Sequence, residues 1–453
     1  MNTRIMTSLL CLTSALAFAG TEPSDKSAKD IVAPPPDDNP LSFFNGKLVF
    51  DAQERLRFEY RDNNYDFNSK VKSLNDGDWF EQRARIGMTI APCDYFSFYV
   101  QGQSSLELGS ARPKTPGVLG AEGDNAVDLR QAYIKIGPKD FNVTIGRQIL
   151  SYGDERLVGS FDWNNIGRTF DAVKVHYNTD TWSLEAFTSS VVVINKEKFD
   201  QSDFLDGNNS GRNQIFSGIY FSTTLIPIQV TDLYAFELQQ EAKAGNTDFV
   251  TLGTRMKADP TKLGGFCYET EMAAQTGTVS GKDLAAFAGH WGVGYTWLDS
   301  PWKPHFGVEY NYASGDNNSK DGKVTTFQNL FPTNHPFYGT MDMFSWQNLS
   351  NPEASFSFQP AKNVLFKLDY NAFWLANTND AWYRANGVTA VRPINPKANS
   401  FTGSELDASI NWKATKNLSF QVGYDHFFAG KYLKATGANS DANFAYAQMT
   451  VNF

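Results

Sequence analysis

Apolar and charged side chains alternate along residues 47–61, KLVFDAQERLRFEYR. The set that begins at Leu48 is mostly apolar, and the set that begins at Val49 is strongly charged towards its end. Because side chains alternate across a β-strand, this pattern predicts a strand with one apolar and one wet face. The segment exceeds the ~5–6 residues of a typical strand and reaches the ~10 residues with which a tilted strand crosses a bilayer. Repetition of the pattern therefore predicts a transmembrane barrel with a polar lumen.

Eighteen segments of the chain carry the strand pattern. They cover 47–60, 78–90, 95–107, 127–137, 141–151, 168–177, 182–193, 214–225, 231–240, 248–258, 265–275, 283–298, 304–314, 353–360, 363–374, 402–413, 417–428 and 442–453. The link after each even-numbered segment is short, whereas most links after odd-numbered segments are long and polar. Outer-membrane barrels have short periplasmic turns and long outer loops. The sequence therefore predicts an all-β fold, a transmembrane antiparallel β-barrel of about 18 strands.

The N-terminus has the features of a secretory signal peptide. Arg4 supplies the positive charge, a short apolar run follows, and Ala17-Phe18-Ala19 forms a small-x-small cleavage sequence. We therefore expect a signal peptide at 1–19. A flexible periplasmic leader is expected at 20–46, because this polar stretch carries the run PPP and too little apolar surface to fold alone. The barrel itself is expected to cover 47–453.

The C-terminus supports the same location. Residues 443–453 alternate in the manner of a strand, and the sequence ends on Phe453. An amphipathic terminal strand with an aromatic last residue resembles the signal by which the barrel-insertion machinery recognises its clients. We expect this strand to pair with 47–60 and close the barrel, because lipid tolerates no unpaired strand edge. The expected location is the outer membrane of a Gram-negative bacterium, in contact with outer-membrane lipid.

Three stretches carry a family resemblance. They are 128–177, with FNVTIGRQILSYGDERLVGSFDWNNIGRTFDAVKVHY, 310–342, with YNYASGDNNSKDGKVTTFQNLFPTNHPFYGTMD, and 424–433, YDHFFAGKYL. Together they resemble the alginate export porin family of outer-membrane β-barrels. The resemblance implies an eighteen-stranded channel. It also implies passage of an anionic polysaccharide through an arginine-rich lumen, although relatives in this family differ in their solutes.

Cationic residues on the wet faces are the candidate pore-lining residues. They are Arg55, Arg57, Arg61, Arg83, Arg85, Arg130, Arg147, Arg168, Arg255 and Lys367. The first five belong to two neighbouring strands and should form one basic patch. A guanidinium group suits a carboxylate because its planar fork makes two parallel hydrogen bonds. Alternatively, these arginines pair with lumenal acids and only solvate the wall. Acids are denser on the late strands, so we expect a transverse field across the lumen.

Two of these positions are ambiguous in the pattern. Arg130 faces the lumen unless Leu129, Gln131 and Tyr133 form the wet set. Arg147 is in phase with apolar residues that would face lipid, where an arginine costs about 2–4 kcal/mol at mid-bilayer. Either a bulge precedes Arg147 or it lies at the rim. The long loop 152–167 could fold inward.

Composition and motifs exclude several functions. The formal net charge of −9 argues against a nucleic-acid partner. No serine stands in a nucleophile-like context and the histidines lack metal-pair spacing, so we expect neither an enzyme nor a cofactor. Asp316, Asp321 and Asp342 could hold Ca²⁺ on the loop 315–342 or could be solvated, and the pattern leaves both open.

Taken together, these features predict a channel for passive diffusion or export of a polar, anionic, saccharide-type solute. The alternative is a general porin for small polar solutes, neutral saccharides included, with a charged constriction. A third interpretation is an adhesion or structural barrel blocked by its outer loops.

Overall fold

The computed structural model describes residues 41–114, 122–196, 198–202, 214–242, 245–388 and 390–453. The predicted signal peptide and most of the predicted leader lie at 1–40, outside the described residues. The domain boundaries at 19 and 46 therefore stay predictions. Within the described ranges, no helix is long and apolar enough to cross a membrane.

The described residues contain twenty β-strands and one short α-helix. The strands are β1 (Ser42–Phe43), β2 (Leu48–Asp62), β3 (Gly77–Cys93), β4 (Phe96–Leu108), β5 (Asn125–Ile136), β6 (Phe141–Gln148), β7 (Phe170–Asn178), β8 (Trp182–Val191), β9 (Gln214–Thr223), β10 (Gln229–Gln240), β11 (Thr247–Ala258), β12 (Phe266–Val279), β13 (Lys282–Thr296), β14 (His305–Ala313), β15 (Lys323–Val324), β16 (Leu349–Ala361), β17 (Val364–Leu375), β18 (Phe401–Lys413), β19 (Leu418–Ala429) and β20 (Ala442–Asn452); the helix is α1 (Lys431–Thr436). Strands β1 and β15 have two residues each, and the other eighteen correspond one for one to the predicted segments.

The eighteen long strands form one closed antiparallel barrel. Each pairs with its neighbours in chain order, and β2 pairs with β20 to close the sheet, with Gln53 opposite Asn452 and Asp62 opposite Asn443. The backbone of Phe453 also exchanges two hydrogen bonds with Ala52. Closure satisfies the backbone groups of both terminal strands, as lipid requires. The predicted fold class and the predicted pairing of the chain ends are confirmed.

The register follows the period-two pattern. Leu56 on β2 is 40% exposed, and Ile86 on β3 is 68% exposed, so both lie on the outer face. Arg57, next in the chain, is fully buried and points into the barrel. A slip of one residue would exchange the two faces of the whole strand. The alternation in the sequence therefore determines which side chains meet lipid.

Two long loops at one end of the barrel enter the lumen. These are the segment 149–169 after β6, named here the inner loop, and the segment 314–348 after β14, named here the second loop. Val158 of the inner loop bridges in parallel to Phe331 of the second loop, and the ring of Trp163 stacks on His335 with centroids 3.9 Å apart. The two loops therefore pack as one unit inside the barrel.

A hydrophobic core fills this end of the barrel interior. Its largest fully buried rings come from loops, among them Trp346 and Trp382, and they pack against inward rings such as Phe427 of β19. Phe344 of the second loop stacks on Phe373 of β17 at 3.9 Å. Burial of these rings anchors the loops to the wall, since apolar area removed from water stabilises the packed state.

Candidate functional site

Four guanidinium groups surround one aspartate on the wall formed by β2 to β5. We call Arg55, Arg83, Arg85 and Arg130 the arginine ladder. Asp162 of the inner loop lies among them. Its carboxylate is 2.6 Å from Arg85 Nη2, 3.0 Å from Arg83 Nη2 and 3.7 Å from Arg130 Nη2. Arg55 Nη1 donates to the Asp162 backbone carbonyl at 2.8 Å. One carboxylate thus faces four cations, and the ladder keeps an excess of positive charge.

The environment of Asp162 strongly favours its charged form. Burial alone would raise the pKa of its carboxyl, but the neighbouring Arg83, Arg85 and Arg130 hold that pKa far below its usual range. A carboxylate at this position is therefore ionised at any physiological pH.

Arg57 lies beside the ladder and is neutralised differently. Its Nε is 2.7 Å from Glu59, its Nη2 is 3.1 Å from Glu122, and the same nitrogen makes a short contact with Glu81. The three carboxylates approach within 4.8 Å of one another around this guanidinium. Its plane also covers the Trp163 ring at 4.2 Å. Arg57 therefore fixes the inner loop to the wall and carries no surplus charge.

Arg61 is shared between the wall and the second loop. Its Nε bonds Glu59 at 3.1 Å, and its Nη1 donates to the Met341 carbonyl at 3.1 Å. The guanidinium lies 3.8 Å over the Phe444 ring. Its role is thus to hold the second loop in place.

A β-bulge decides the ambiguous phase at Arg130. The register between β4 and β5 shifts between Gln101 and Gly102, which pair with Gln131 and Leu129. Arg130 is the extra residue of this bulge, and both Arg130 and Gln131 are buried. Both wet sets considered from the sequence therefore contribute inward side chains.

Arg147 lies at the rim, next to the end of β6. The ladders of β6 show no register shift, so no bulge turns this residue inward. Its guanidinium instead pairs with Asp171 at 2.9 Å and donates to the Asp200 carbonyl at 2.9 Å. Asp200 in turn accepts from Asn125 and donates its backbone N–H to Asp128. Asp171 of β7 therefore neutralises Arg147 at the edge of the wall, and a segment of the next outer loop adds a backbone hydrogen-bond acceptor.

The remaining predicted residues are dispersed. Arg168 donates to the carbonyls of Gly159, Phe331 and Pro332, so it ties the two lumenal loops together. Burial lowers the pKa of Arg168 to about 10. Lys367 pairs with Asp369 at 2.8 Å on β17.

Arg255 lies on β11, half-way round the barrel from the ladder. It bonds Asp232 at 2.8 Å and Asp154 of the inner loop at 2.6 Å. The structure therefore does not assemble all ten predicted cations into one patch.

Carboxylates dominate another sector of the wall. Glu309 lies opposite Glu353 on the next strand, and Asp407 lies between Asp369 and Asp425 on its two neighbours. All five carboxylates, together with Glu405, are buried inside the barrel. This acidic sector lies on other strands than the arginine ladder, which is the separation of charge that the predicted transverse field requires, and the field itself stays a prediction.

The residues that complete the site were not identified from the pattern. These residues belong to loops, where no alternation of apolar and polar side chains predicts which way a side chain points. They are Asp162, Trp163, Asp154 and Glu122. One signal in the sequence points to the loop residues: the segment 152–167 carries three acids, Asp154, Glu155 and Asp162.

The proposed calcium ligands point to separate partners. Asp316 accepts from the Asn318 backbone, Asp321 accepts from the Lys323 backbone, and Asp342 faces His335 at 3.1 Å. Among the described residues, no three-carboxylate cluster includes any of these three aspartates. Asp316 is buried, so the solvated interpretation does not hold for this residue, and calcium binding stays a prediction.

A closed eighteen-strand barrel with short turns at one end, long loops at the other and a charged lumen defines a channel of the bacterial outer membrane. The chain belongs to the alginate export family, whose family model matches residues 47–447. A comparison with curated proteins returned no matching relative.

Solved structures show the same fold at low identity. OpdK of Pseudomonas aeruginosa, solved with vanillate, superposes with a TM-score of 0.61 at 11% identity, over 89% of this chain and 98% of that chain. OccK3 (OpdO) of the same organism gives 0.59 at 12% identity, over 90% and 95%. OccD3 (OpdP), also from that organism, gives 0.57 at 12% identity, over 90% and 91%. These likenesses concern the fold alone.

Proposed function

We propose that this channel passes anionic, saccharide-type solutes by passive diffusion, and that the arginine ladder selects them through their carboxylates. The observation that carries the proposal is that the guanidinium groups of Arg83, Arg85 and Arg130 lie within 3.7 Å of the Asp162 carboxylate, while a fourth guanidinium, that of Arg55, binds the Asp162 backbone carbonyl. A site that holds one carboxylate with surplus positive charge also attracts a second anion. Membership of the alginate export family is consistent with this solute class.

The ladder lies where it acts on solute rather than on lipid. Its side chains point inward from strands whose outer faces carry Leu56 and Ile86. Lumen substitutions in barrels tune selectivity and leave the lipid face intact. Weak binding at several equivalent guanidiniums would let an anionic chain move from one to the next without a deep trap.

The test is a reversal-potential measurement on a chain in which Arg55, Arg83, Arg85 and Arg130 are replaced by Gln. We expect a shift towards cations that is larger at low salt, because the Debye length is about 10 Å at 0.1 M and shrinks as salt rises. A matched control removes the same charge from exposed lysines in or beside the short turns. It replaces Lys303, Lys362, Lys413 and Lys416 with Gln. Equal selectivity of the quadruple arginine variant and the wild type would refute the proposal.

A general small-solute porin is the second candidate function. The observation that favours it is the acidic sector, because a lumen with both signs of charge discriminates less sharply than a uniformly basic one. Under this alternative, a neutral trisaccharide blocks the current as well as an acidic one. Under the leading proposal, only the acidic trisaccharide blocks, and the quadruple variant loses that block.

We further propose that the barrel-insertion machinery recognises the terminal strand through Phe453. The support is the position of this residue, 62% exposed beside the closing seam between β2 and β20. An aromatic side chain there is accessible before the sheet closes.

A further inference from the structure

The inner loop fills a second position on the far side of the lumen, at the wall formed by β8 to β12. Three consecutive residues of this loop make the contact: Tyr152, Gly153 and Asp154. The Tyr152 ring stacks on Tyr220 with centroids 4.8 Å apart, and on Phe187 at 5.5 Å with an interplanar angle of 15°.

The wall beneath these residues is a flat aromatic floor. Tyr220 lies opposite Tyr234 in the ladder, and their rings are parallel within 1°. Gly253 faces Tyr234 on the next strand, and a Cβ at that glycine would stand 2.3 Å from the ring. The absence of a side chain at 253 is therefore what lets the Tyr234 ring lie against the wall. Its hydroxyl donates to Glu271 at 2.8 Å, which holds the ring in this orientation.

A cationic clamp stands next to the floor. Arg255 Nη2 and Nε lie 2.6 and 2.9 Å from one oxygen of Asp154, and Lys257 Nζ lies 3.0 Å from both oxygens. The two cations are held from behind by Asp232 at 2.8 Å and Glu269 at 3.1 Å. Burial alone would raise the pKa of the Asp154 carboxyl, but Arg255 and Lys257 bring it well below its usual range.

From this geometry we infer that the wall of β8 to β12 is a binding site for a ring that bears a carboxylate, and that Tyr152 and Asp154 occupy it as an internal substitute for the solute. A uronic acid residue of an acidic saccharide has both required parts. The C–H face of its ring is apolar and covers an aromatic ring with favourable dispersion and hydrophobic burial. Its carboxylate takes the two-point contact that Arg255 offers.

This inference rests on the proposed function and narrows its solute class. The inner loop then occupies two sites at once, with Asp162 in the ladder and Asp154 at the clamp half-way round the barrel. An entering solute competes with the loop for both sites. The apparent affinity of the solute for the clamp is therefore its intrinsic affinity multiplied by the fraction of time for which the loop leaves the clamp free.

The experiment measures current block of the full channel in planar bilayers by three probes. Trigalacturonate has rings and carboxylates, maltotriose has rings alone, and tricarballylate has carboxylates alone. The double substitution Tyr152→Ala and Asp154→Asn removes the stacked ring and the negative charge that occupy the site, and it leaves every wall residue in place. We expect it to tighten block by trigalacturonate about tenfold, the gain for a site that is free about one tenth of the time in the wild type. Block by the other two probes stays unchanged.

Two further variants test whether the change in block arises at this site. Substitution of Tyr95 to Ala and Asp94 to Asn removes the same groups from an exposed turn and should leave block by all three probes at the wild-type level. Addition of Arg255→Gln and Lys257→Gln to the emptied chain should abolish the tenfold gain. Heat-modifiable migration in gels verifies that each variant is folded.

If the double substitution tightens block by all three probes equally, the substitutions only loosen the loop and the inference is overturned. No gain for trigalacturonate would overturn it as well. Failure here is distinguishable from failure of the proposed function. The latter appears as unchanged ion selectivity of the quadruple ladder variant, which retains Tyr152, Asp154, Arg255 and Lys257.

Discussion

The carboxylate of Asp162 lies 2.6 Å from Nη2 of Arg85, although 77 residues separate the two in the chain. The contact joins the inner loop to the barrel wall. Under the proposed function, it also places a carboxylate of the loop at the position where an anionic solute would bind. We therefore expect this one interaction to affect the packing of the lumen and, under the proposed function, its selectivity.

Replacement of Asp162 with Ala leaves the four ladder arginines facing one another without a carboxylate. Removal of one partner from a buried ion pair typically costs about 3–5 kcal/mol, because the remaining charge is uncompensated. We expect a loss of this order in the free energy of unfolding, measured by urea titration of the barrel in lipid, and a shift of reversal potential towards anions. Asp299→Asn in an exposed turn is the control. Wild-type selectivity in Asp162→Ala would contradict this assignment.

Arg57→Leu should lower the free energy of unfolding, although Arg57 lies on the lumenal face of its strand. The change strands Glu59, Glu81 and Glu122 without their shared cation, and a loss of about 3–5 kcal/mol is expected. A second change, Glu81→Gln, should restore part of this loss because it removes one stranded charge. The double-mutant cycle from urea titration measures the coupling. Additive effects of the two changes would show that the pair does not interact.

Leu56→Arg tests the outer face of the same strand. An arginine on the lipid face of a barrel costs about 2–4 kcal/mol at mid-bilayer. We expect less folded protein in outer-membrane fractions, with no rescue by Glu81→Gln, since Leu56 points away from the lumen. Leu56→Ile keeps the face apolar and serves as control. Normal insertion of Leu56→Arg would show that Leu56 does not face lipid, and that the assigned register of β2 is wrong by one residue.

Docking of the segment around Asp200 should depend on pH. Burial and the nearby Asp128 raise the pKa of Asp200, a hydrogen bond from the Asn195 backbone lowers it, and the net value is about 6. A carboxyl with a raised pKa stabilises the docked state at low pH, and this contribution is lost as the pH rises through about 6. A spin label at Phe199, an exposed residue of this segment, should gain mobility between pH 5 and 7.5.

The variant Asp200→Asn removes the titrating group from that experiment. Its label should show the same mobility at both pH values, because an amide cannot ionise. A transition near pH 6 that persists in Asp200→Asn would assign the effect to another group.

Deletion of Phe453 should reduce insertion far more than it reduces stability. The residue contributes two backbone hydrogen bonds with Ala52 and a largely exposed ring, so the folded barrel loses little. Pulse-chase fractionation should show accumulation of the unfolded form outside the outer membrane. Phe453→Tyr keeps the aromatic ring and should insert normally. Equal insertion of the deletion and the wild type would remove the proposed recognition role.

The strands, their inner and outer faces and the closure of the barrel were determined by the sequence itself. This was possible because the period-two alternation is local, and because lipid imposes one solvent on every outward residue. The pairing of 47–60 with 443–453 followed from the same requirement that no strand edge stay open. Arg130 marks the limit of this reasoning, because a bulge breaks the period within β5 and puts consecutive residues on one face.

Only the tertiary structure decided which arginines stay in surplus and which are neutralised. Arg57 and Arg85 look equivalent in the pattern, yet three glutamates surround the first, whereas the second shares Asp162 with its neighbours. The partner in each case includes a loop residue that is distant in sequence, and loops carry no periodicity that specifies where they fold. The inner loop contacts both sides of the lumen because the wall is closed around it. The pairing of Asp154 with Arg255 therefore depends on this long-range geometry.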